Sequence, residues 1–139
     1  FRCGSPAILS YLALEKSLDI FETVNFIELR RKSQDLTQLF IELIEIKCSG
    51  FGLELYSPKD PEQRGSQVSL THNHGWEIMQ ALIANNVIGD FRAPNIIRFG
   101  FTPLYTSYAD VWNAVEILSE ILNKELWKNP QYAVKALVT

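Results

Sequence analysis

The chain has 139 residues, which suits one domain, and its 47% hydrophobic and 21% charged content argues against disorder. A net charge of -3 and dispersed Lys and Arg residues argue against a nucleic-acid-binding surface. No apolar run reaches the roughly 18 residues of a membrane span, and no signal peptide is recognisable.

The first residue is Phe1 rather than Met, which suggests a fragment or a processed product. The two cysteines, Cys3 and Cys48, lack the CxxC spacing of a metal or redox motif. Two thiols in a chain of this size are more typical of a reducing cytosol than of a disulfide framework. A Cys3–Cys48 bridge is the alternative.

Four helices are predicted from the apolar periodicity and the capping residues. Ser5, followed by proline, is a good start for the first helix. Asn25 should cap the second, with Glu28 as its capping-box partner, and Ser107 should cap the fourth. Glu28 and Lys32, four positions apart on the second helix, should form an ion pair. The helices should cover most of residues 7–22, 26–46, 76–85 and 108–122.

Short alternating runs between these helices predict strands. The expected strands lie near 53–56, 67–71 and 96–100, and residues 87–91 form the edge that leads to the last of them. Strands mixed with flanking helices indicate an α+β domain, with an antiparallel or mixed sheet covered on one face by helices. A structure with no sheet, or with a parallel doubly wound sheet, would contradict this prediction.

The strand 96–100 carries the residue of greatest functional interest. Ile97, Phe99 and Phe101 alternate with Arg98 and Gly100, so one face is apolar and the other holds a guanidinium beside open space. A partly buried charge is costly unless it is paired. Two interpretations remain open: Arg98 binds the carboxylate or phosphate of a ligand, or it forms an internal ion pair.

Three further positions have a possible chemical role. The N-terminus of the first helix, with Gly4 and Ser5, suits a phosphate, although simple capping is the alternative. Arg64 is interpreted as structural, bonded to backbone carbonyls or an acid, with an active-site role as the alternative. His72 and His74 lack an evident third ligand, so we expect loop residues rather than a metal site.

Several ordered motifs resemble those of one enzyme family. The segment Arg98–Tyr105, followed by Asp110–Trp112, resembles the C-terminal signature of kynureninases, which are pyridoxal-phosphate enzymes of the class V aminotransferase-like group. Further similar segments are Phe1–Pro6 with Ile8–Ser10, Asp60–Gln67 and Gly89–Arg92. The similarity runs, with gaps, over nearly the whole chain.

The resemblance implies that residues 1–139 form the small C-terminal domain of a fold-type I pyridoxal-phosphate enzyme. The whole enzyme would hydrolyse L-kynurenine or 3-hydroxykynurenine to anthranilate or 3-hydroxyanthranilate and L-alanine in tryptophan catabolism. In this chain, Arg98 would bind the substrate carboxylate and Ser5 would contribute to the cofactor phosphate site, with no catalytic residue and no metal site present.

The resemblance also implies partners outside this chain. The lysine that carries the cofactor and the acid that pairs with its pyridine nitrogen belong to the large domain, so this piece alone should be inactive. The whole enzyme would be a cytoplasmic homodimer, and apolar surface that meets the large domain should make the isolated piece self-associate. Two alternatives remain: the small domain of a cysteine desulfurase or aminotransferase, and a stand-alone binding module.

Overall fold

The structure is a computed structural model that describes Gly4 and residues 7–134. Its helices are α1 (Ile8–Leu18), α2 (Phe26–Lys47), α3 (Gly75–Ala84) and α4 (Tyr108–Asn123). Its strands are β1 (Glu54–Leu55), β2 (Gln67–Thr71), β3 (Asp90–Arg92) and β4 (Ile96–Gly100). The helix and strand predictions are confirmed to within a few residues at their ends.

The strands form one sheet in the order β1-β2-β4-β3, and every neighbouring pair is antiparallel. The strands β3 and β4 form a hairpin in which Phe91 lies opposite Ile97. Helices α2 and α3 contact the sheet, and α4 packs against both of them. The predicted α+β class, with a short antiparallel sheet and helices against it, is confirmed.

The core lies between the helices and one face of the sheet. Ile97, Phe99 and Phe101 are buried, as the alternation along β4 predicts. The Phe40 ring of α2 lies 4.8 Å from the Phe99 ring and 5.2 Å from the Phe101 ring, measured between centroids. Fully burying a side chain of this size stabilises a fold by about 1.5–3 kcal/mol, so this apolar face fixes the register of β4.

The capping residues act largely as predicted. The side chain of Asn25 accepts hydrogen bonds from the first turn of α2, and Ser107 and Asp110 form a complete capping box at the start of α4. Glu28, however, forms an ion pair with Arg31 rather than with the residue four positions on, and among the described residues it returns no side-chain bond to Asn25, so the predicted capping box of α2 is wrong. The expected partner, Lys32, instead donates its ammonium to the Pro103 carbonyl oxygen at 2.7 Å, because α2 packs beside that loop.

The first helix differs from the others in having no buried residue. It ends at Leu18, earlier than predicted, and continues as a 3-10 helix, Asp19–Thr23. Its predicted apolar stripe points into solvent, and Leu9 is 83% exposed. Ile8, Leu9 and Leu12 of this stripe are each more than half exposed, so the described part of the chain does not bury it.

Two predictions concern the ends of the chain or its thiols. Ser5 and Cys3 lie outside the described residues, and so does the disulfide alternative. The N-cap of α1 is Ala7, so the first helix starts two residues later than a cap at Ser5 predicts. Cys48 is a free thiol in the core, and burial raises its pKa to about 11. Across Gly4 and 7–134, none of the helices is long and apolar enough to cross a lipid bilayer.

Candidate functional site

Arg98 projects from the sheet face opposite the core. In the antiparallel register it lies between Ser69 of β2 and Asp90 of β3. Directly opposite residues in an antiparallel pair have neighbouring side chains on the same face. The sheet therefore forms a polar row across three strands, while Ile97 and Phe99 on the same strand stay in the core.

Asp90 binds one edge of the Arg98 guanidinium. Its Oδ2 accepts from Arg98 Nε at 2.8 Å and also from Arg98 Nη2. The same oxygen lies 3.2 Å from Nε of Arg92. The hydrogen bond from Arg98 is the main reason that the pKa of Asp90 is held below its usual value. The structure thus contains the internal ion pair that one of the two interpretations of Arg98 expects.

The ion pair with Asp90 occupies only the side edge of the guanidinium. Among the described residues, Nη1 of Arg98 makes no hydrogen bond, and the side chain remains 30% exposed. Nε and Nη2 form the side edge of the planar fork, whereas Nη1 and Nη2 form its end. The end of the fork is therefore free to bind a carboxylate while Asp90 stays in place.

Arg98 lines an open cavity of about 320 Å³, together with Asp90 and the residues Gln67, Ile88, Gly89 and Gly100. A Cβ at Gly100 would have no atom within 4 Å, which confirms the predicted open space beside the guanidinium. A second cavity, of about 470 Å³, lies between the end of α3 and the start of α4 and shares Ile88 and Gly100 with the first. A ligand bound at Arg98 would therefore have room to extend past Gly100.

Gly89 explains how β3 comes close enough to β4. A Cβ at Gly89 would lie 2.8 Å from the Arg98 carbonyl oxygen and 2.5 Å from Cε of Met79. No side chain fits there without a shift of the backbone or of Met79. Sequence reasoning missed both Gly89 and Asp90 as parts of the site, although a hairpin that pairs Phe91 with Ile97 would have placed Asp90 opposite Arg98.

Arg64 has the structural role that the sequence predicted. It is only 4% exposed, and its Nη1 donates to the carbonyl oxygens of Pro58 and Lys59, each at 2.8 Å. Nε donates to Thr37 Oγ1 at 3.3 Å and Nη2 to Gln38 Oε1 at 3.2 Å. The guanidinium thus holds the loop before β2 against helix α2.

The histidine pair also has structural partners. Nε2 of His72 lies 2.9 Å from the Phe51 carbonyl oxygen, and its Nδ1 accepts from the backbone N–H of His74 at 2.9 Å. His72 must therefore carry its proton on Nε2 and be neutral, and burial lowers its pKa accordingly. The His74 ring stacks on Trp127 with centroids 4.4 Å apart. Within Gly4 and 7–134, no group of three potential metal ligands occurs.

Of the predicted phosphate site, the structure describes only Gly4 and the first turn of α1. Gly4 has a φ of +98° and open space where a Cβ would lie, so backbone can be approached closely there. Ala7 occupies the N-cap of α1, and no side chain of the described residues caps the first turn. N–H groups at a helix N-terminus suit an anion such as a phosphate, so the donor chemistry of this segment fits the predicted ligand.

A family model described as the kynureninase C-terminal domain matches residues 29–118. The chain belongs to the kynureninase family. The kynureninase of Burkholderia mallei (strain SAVP1) is 51% identical and that of Pseudomonas fluorescens 48% identical, in each case over all 139 residues. Each match covers 100% of this chain and 33% of the relative, so the chain spans a third of the length of these kynureninases.

The fold has a solved counterpart outside the family. The crystal structure of 8-amino-7-oxononanoate synthase from Francisella tularensis matches with a TM-score of 0.57 and 27% sequence identity, over 78% of this chain and 31% of that one. This match supports the fold class implied by the kynureninase resemblance, a small domain of the fold-type I pyridoxal-phosphate enzymes.

Proposed function

We propose that the chain, residues 1–139, is the small C-terminal domain of a pyridoxal-phosphate-dependent enzyme that hydrolyses L-kynurenine or 3-hydroxykynurenine. The products would be L-alanine and anthranilate or its 3-hydroxy form, in tryptophan catabolism. The observation that carries this proposal is identity of 48–51% to kynureninases along the entire chain. Family membership favours this activity over that of a cysteine desulfurase or an aminotransferase.

Arg98 is the residue that would bind the substrate. Arg98 lines an open cavity, and the end of its guanidinium can form two parallel hydrogen bonds with a carboxylate. Two bonds in one plane fix the direction of the carboxylate as well as its position. They thereby orient the amino group on the substrate α-carbon, which also bears the carboxylate. When bound, pyridoxal phosphate would supply an electron sink for negative charge that develops on this α-carbon.

Ser5 would contribute to the cofactor phosphate site with the first turn of α1. Its hydroxyl can donate to a phosphate oxygen, and Gly4 leaves the backbone accessible beside it. The cofactor-bearing lysine and the acid that pairs with the pyridine nitrogen would come from the large domain of the same protein. We therefore expect no activity from these 139 residues alone.

The exposed stripe of α1 would meet partners outside this chain. Ile8, Leu9 and Leu12 of this helix are all more than half exposed, which is unusual for apolar residues spaced along one helix. We propose that the large domain of the same protein covers this stripe, that two full-length copies form a homodimer, and that the enzyme is cytoplasmic.

Substitutions at the two sites test the proposal in the full-length protein. Arg98→Lys keeps a positive charge but loses the planar fork, and Arg98→Ala loses both. We expect each to lower kcat/KM for L-kynurenine by an amount equivalent to about 2–5 kcal/mol, while affinity for pyridoxal phosphate stays unchanged. Ser5→Ala should act on the cofactor instead, and weaken its binding by about 1.5–3 kcal/mol.

Steady-state kinetics and absorbance titration with the cofactor measure these two effects separately. Near-normal kcat/KM in both Arg98 variants would show that Arg98 serves only its ion pair with Asp90. Unchanged cofactor affinity in Ser5→Ala would show that other groups hold the phosphate. Absence of kynurenine hydrolysis by the full-length protein saturated with the cofactor would refute the proposed activity itself.

A further inference from the structure

We infer that Asp90 is a positioning residue for the substrate carboxylate: it binds the side edge of the Arg98 guanidinium and so presents the other edge to the ligand. The inference rests on the proposed carboxylate-binding role of Arg98. It assigns Asp90 a part in substrate binding without direct contact with the substrate.

The geometry divides the donors of Arg98 between two acceptors. Nε and Nη2 both bond to the single oxygen Oδ2 of Asp90, and Nη1 has no partner in the described part of the chain. An arginine side chain has several rotatable bonds, and a bond to its side edge fixes the plane of the fork. Because Asp90 occupies only that edge, a carboxylate can bind Nη1 and the remaining N–H of Nη2 without displacing it.

The charges around Asp90 keep the site attractive to an anion. Asp90 contacts two guanidiniums, those of Arg98 and Arg92, so two positive charges and one negative charge leave one net positive charge. The carboxylate of Asp90 is 45% exposed, and solvent therefore screens its repulsion of a ligand in the cavity. Orientation of the guanidinium, by contrast, acts at hydrogen-bond distance and is not screened in this way.

The register of the β3–β4 hairpin fixes the position of Asp90 relative to Arg98. Asp90 and Arg98 face each other in the ladder of one hairpin, next to the pair formed by Phe91 and the fully buried Ile97. A slip of one residue in this register would turn Ile97 out of the core, so the register is strongly specified. The distance between the two side chains is therefore set by the core face of the same strands.

The test uses two ligands that differ only in the carboxylate. L-Alanine, the product of the proposed reaction, carries the anion, and L-alaninamide does not. Binding of each to the full-length protein loaded with pyridoxal phosphate is followed by the cofactor absorbance. The variants are Asp90→Asn, which keeps the shape but removes the charge, Asp90→Ala and Asp90→Glu. Glu116→Gln is the matched control, because Glu116 is 46% exposed and pairs with Lys47 away from the cavity.

We expect Asp90→Asn and Asp90→Ala to weaken L-alanine binding about tenfold, equivalent to 1.4 kcal/mol. Binding of L-alaninamide should stay within twofold, and Asp90→Glu should recover part of the L-alanine affinity. KM for L-kynurenine should rise in parallel, and Glu116→Gln should change neither ligand. Equal weakening of both ligands would indicate a merely structural role for Asp90.

Two other outcomes overturn the inference in distinguishable ways. Tighter binding of L-alanine by Asp90→Asn would show that Asp90 competes with the ligand for Arg98 rather than positioning it. Unchanged L-alanine affinity in both variants, combined with a large loss in Arg98→Lys, would refute the role of Asp90 and leave the proposed function intact. Unchanged affinity in the Arg98 variants as well would refute the carboxylate site on which the inference rests.

Discussion

Arg64 offers the clearest test of how this domain is held together. It is nearly inaccessible to solvent, and no carboxylate contacts it among the described residues. Its strongest bonds are those to the Pro58 and Lys59 carbonyl oxygens, both at 2.8 Å. Substitution Arg64→Met keeps much of the side-chain volume but leaves both carbonyls without their donor.

The expected cost follows from these contacts. A hydrogen bond from a charged donor contributes about 1.5–3 kcal/mol, and two part-buried bonds of this kind are lost, although Pro58 and Lys59 are exposed and water can replace part of the donor. Removal of a buried charge offsets part of this loss, since the pKa of Arg64 is already lowered by desolvation and by the nearby Arg30 charge. We therefore expect Arg64→Met to lower the free energy of unfolding by about 3 kcal/mol, and Arg64→Lys by about half as much.

Urea denaturation of the 139-residue chain, followed by tryptophan fluorescence, measures this difference. With an m value of about 1.5 kcal/mol per molar urea, a loss of 3 kcal/mol lowers the midpoint by about 2 M. Arg31→Met is the matched control, because Arg31 is 69% exposed and its one ion pair among the described residues is with Glu28, so its loss should cost less than about 0.5 kcal/mol. A midpoint for Arg64→Met equal to that of Arg31→Met would refute the reasoning.

Two further predictions concern packing and protonation. Gly89→Ala should lower the free energy of unfolding by about 1–3 kcal/mol through overpacking, whereas Gly100→Ala, with open space around it, should stay within about 0.5 kcal/mol in the same urea assay. Because burial lowers the pKa of His72, the unfolded chain binds a proton more readily, and stability should fall as the pH drops below about 6.5 towards the lowered pKa. His72→Gln should flatten that slope in unfolding curves recorded between pH 7.5 and 5, and an unchanged slope would show that another group titrates.

The sequence predicted those features that depend on local patterns. Ser107 caps α4 through its own side chain, and the alternation along β4 directly places Phe99 inside and Arg98 outside. Arg64 was also correctly interpreted as structural, and the two carbonyl oxygens that it binds belong to Pro58 and Lys59 of the same loop. Each of these conclusions needs only residues close to each other in the chain.

Features that depend on tertiary partners were harder to predict. Spacing alone favoured Lys32 as the partner of Glu28, but the Pro103 loop, distant in sequence, offers Lys32 a carbonyl oxygen. The apolar stripe of α1 predicted a buried helix face, yet α1 has no buried residue, because periodicity alone does not say what packs against a helix. Asp90 was overlooked because its role follows from strand register, which a single sequence specifies only through the hairpin as a whole.

The hairpin that carries Asp90 and Arg98 bears on the entropy cost of the proposed carboxylate binding. Both charges lie on one continuous segment of 11 residues, 90–100, so any rigid-body movement of this domain carries them together. Immobilising an arginine side chain costs up to about 2 kcal/mol of conformational entropy. Here that ordering accompanies folding of the hairpin, and under the proposed role of Arg98 an incoming carboxylate would meet a guanidinium whose side edge is already held by Asp90.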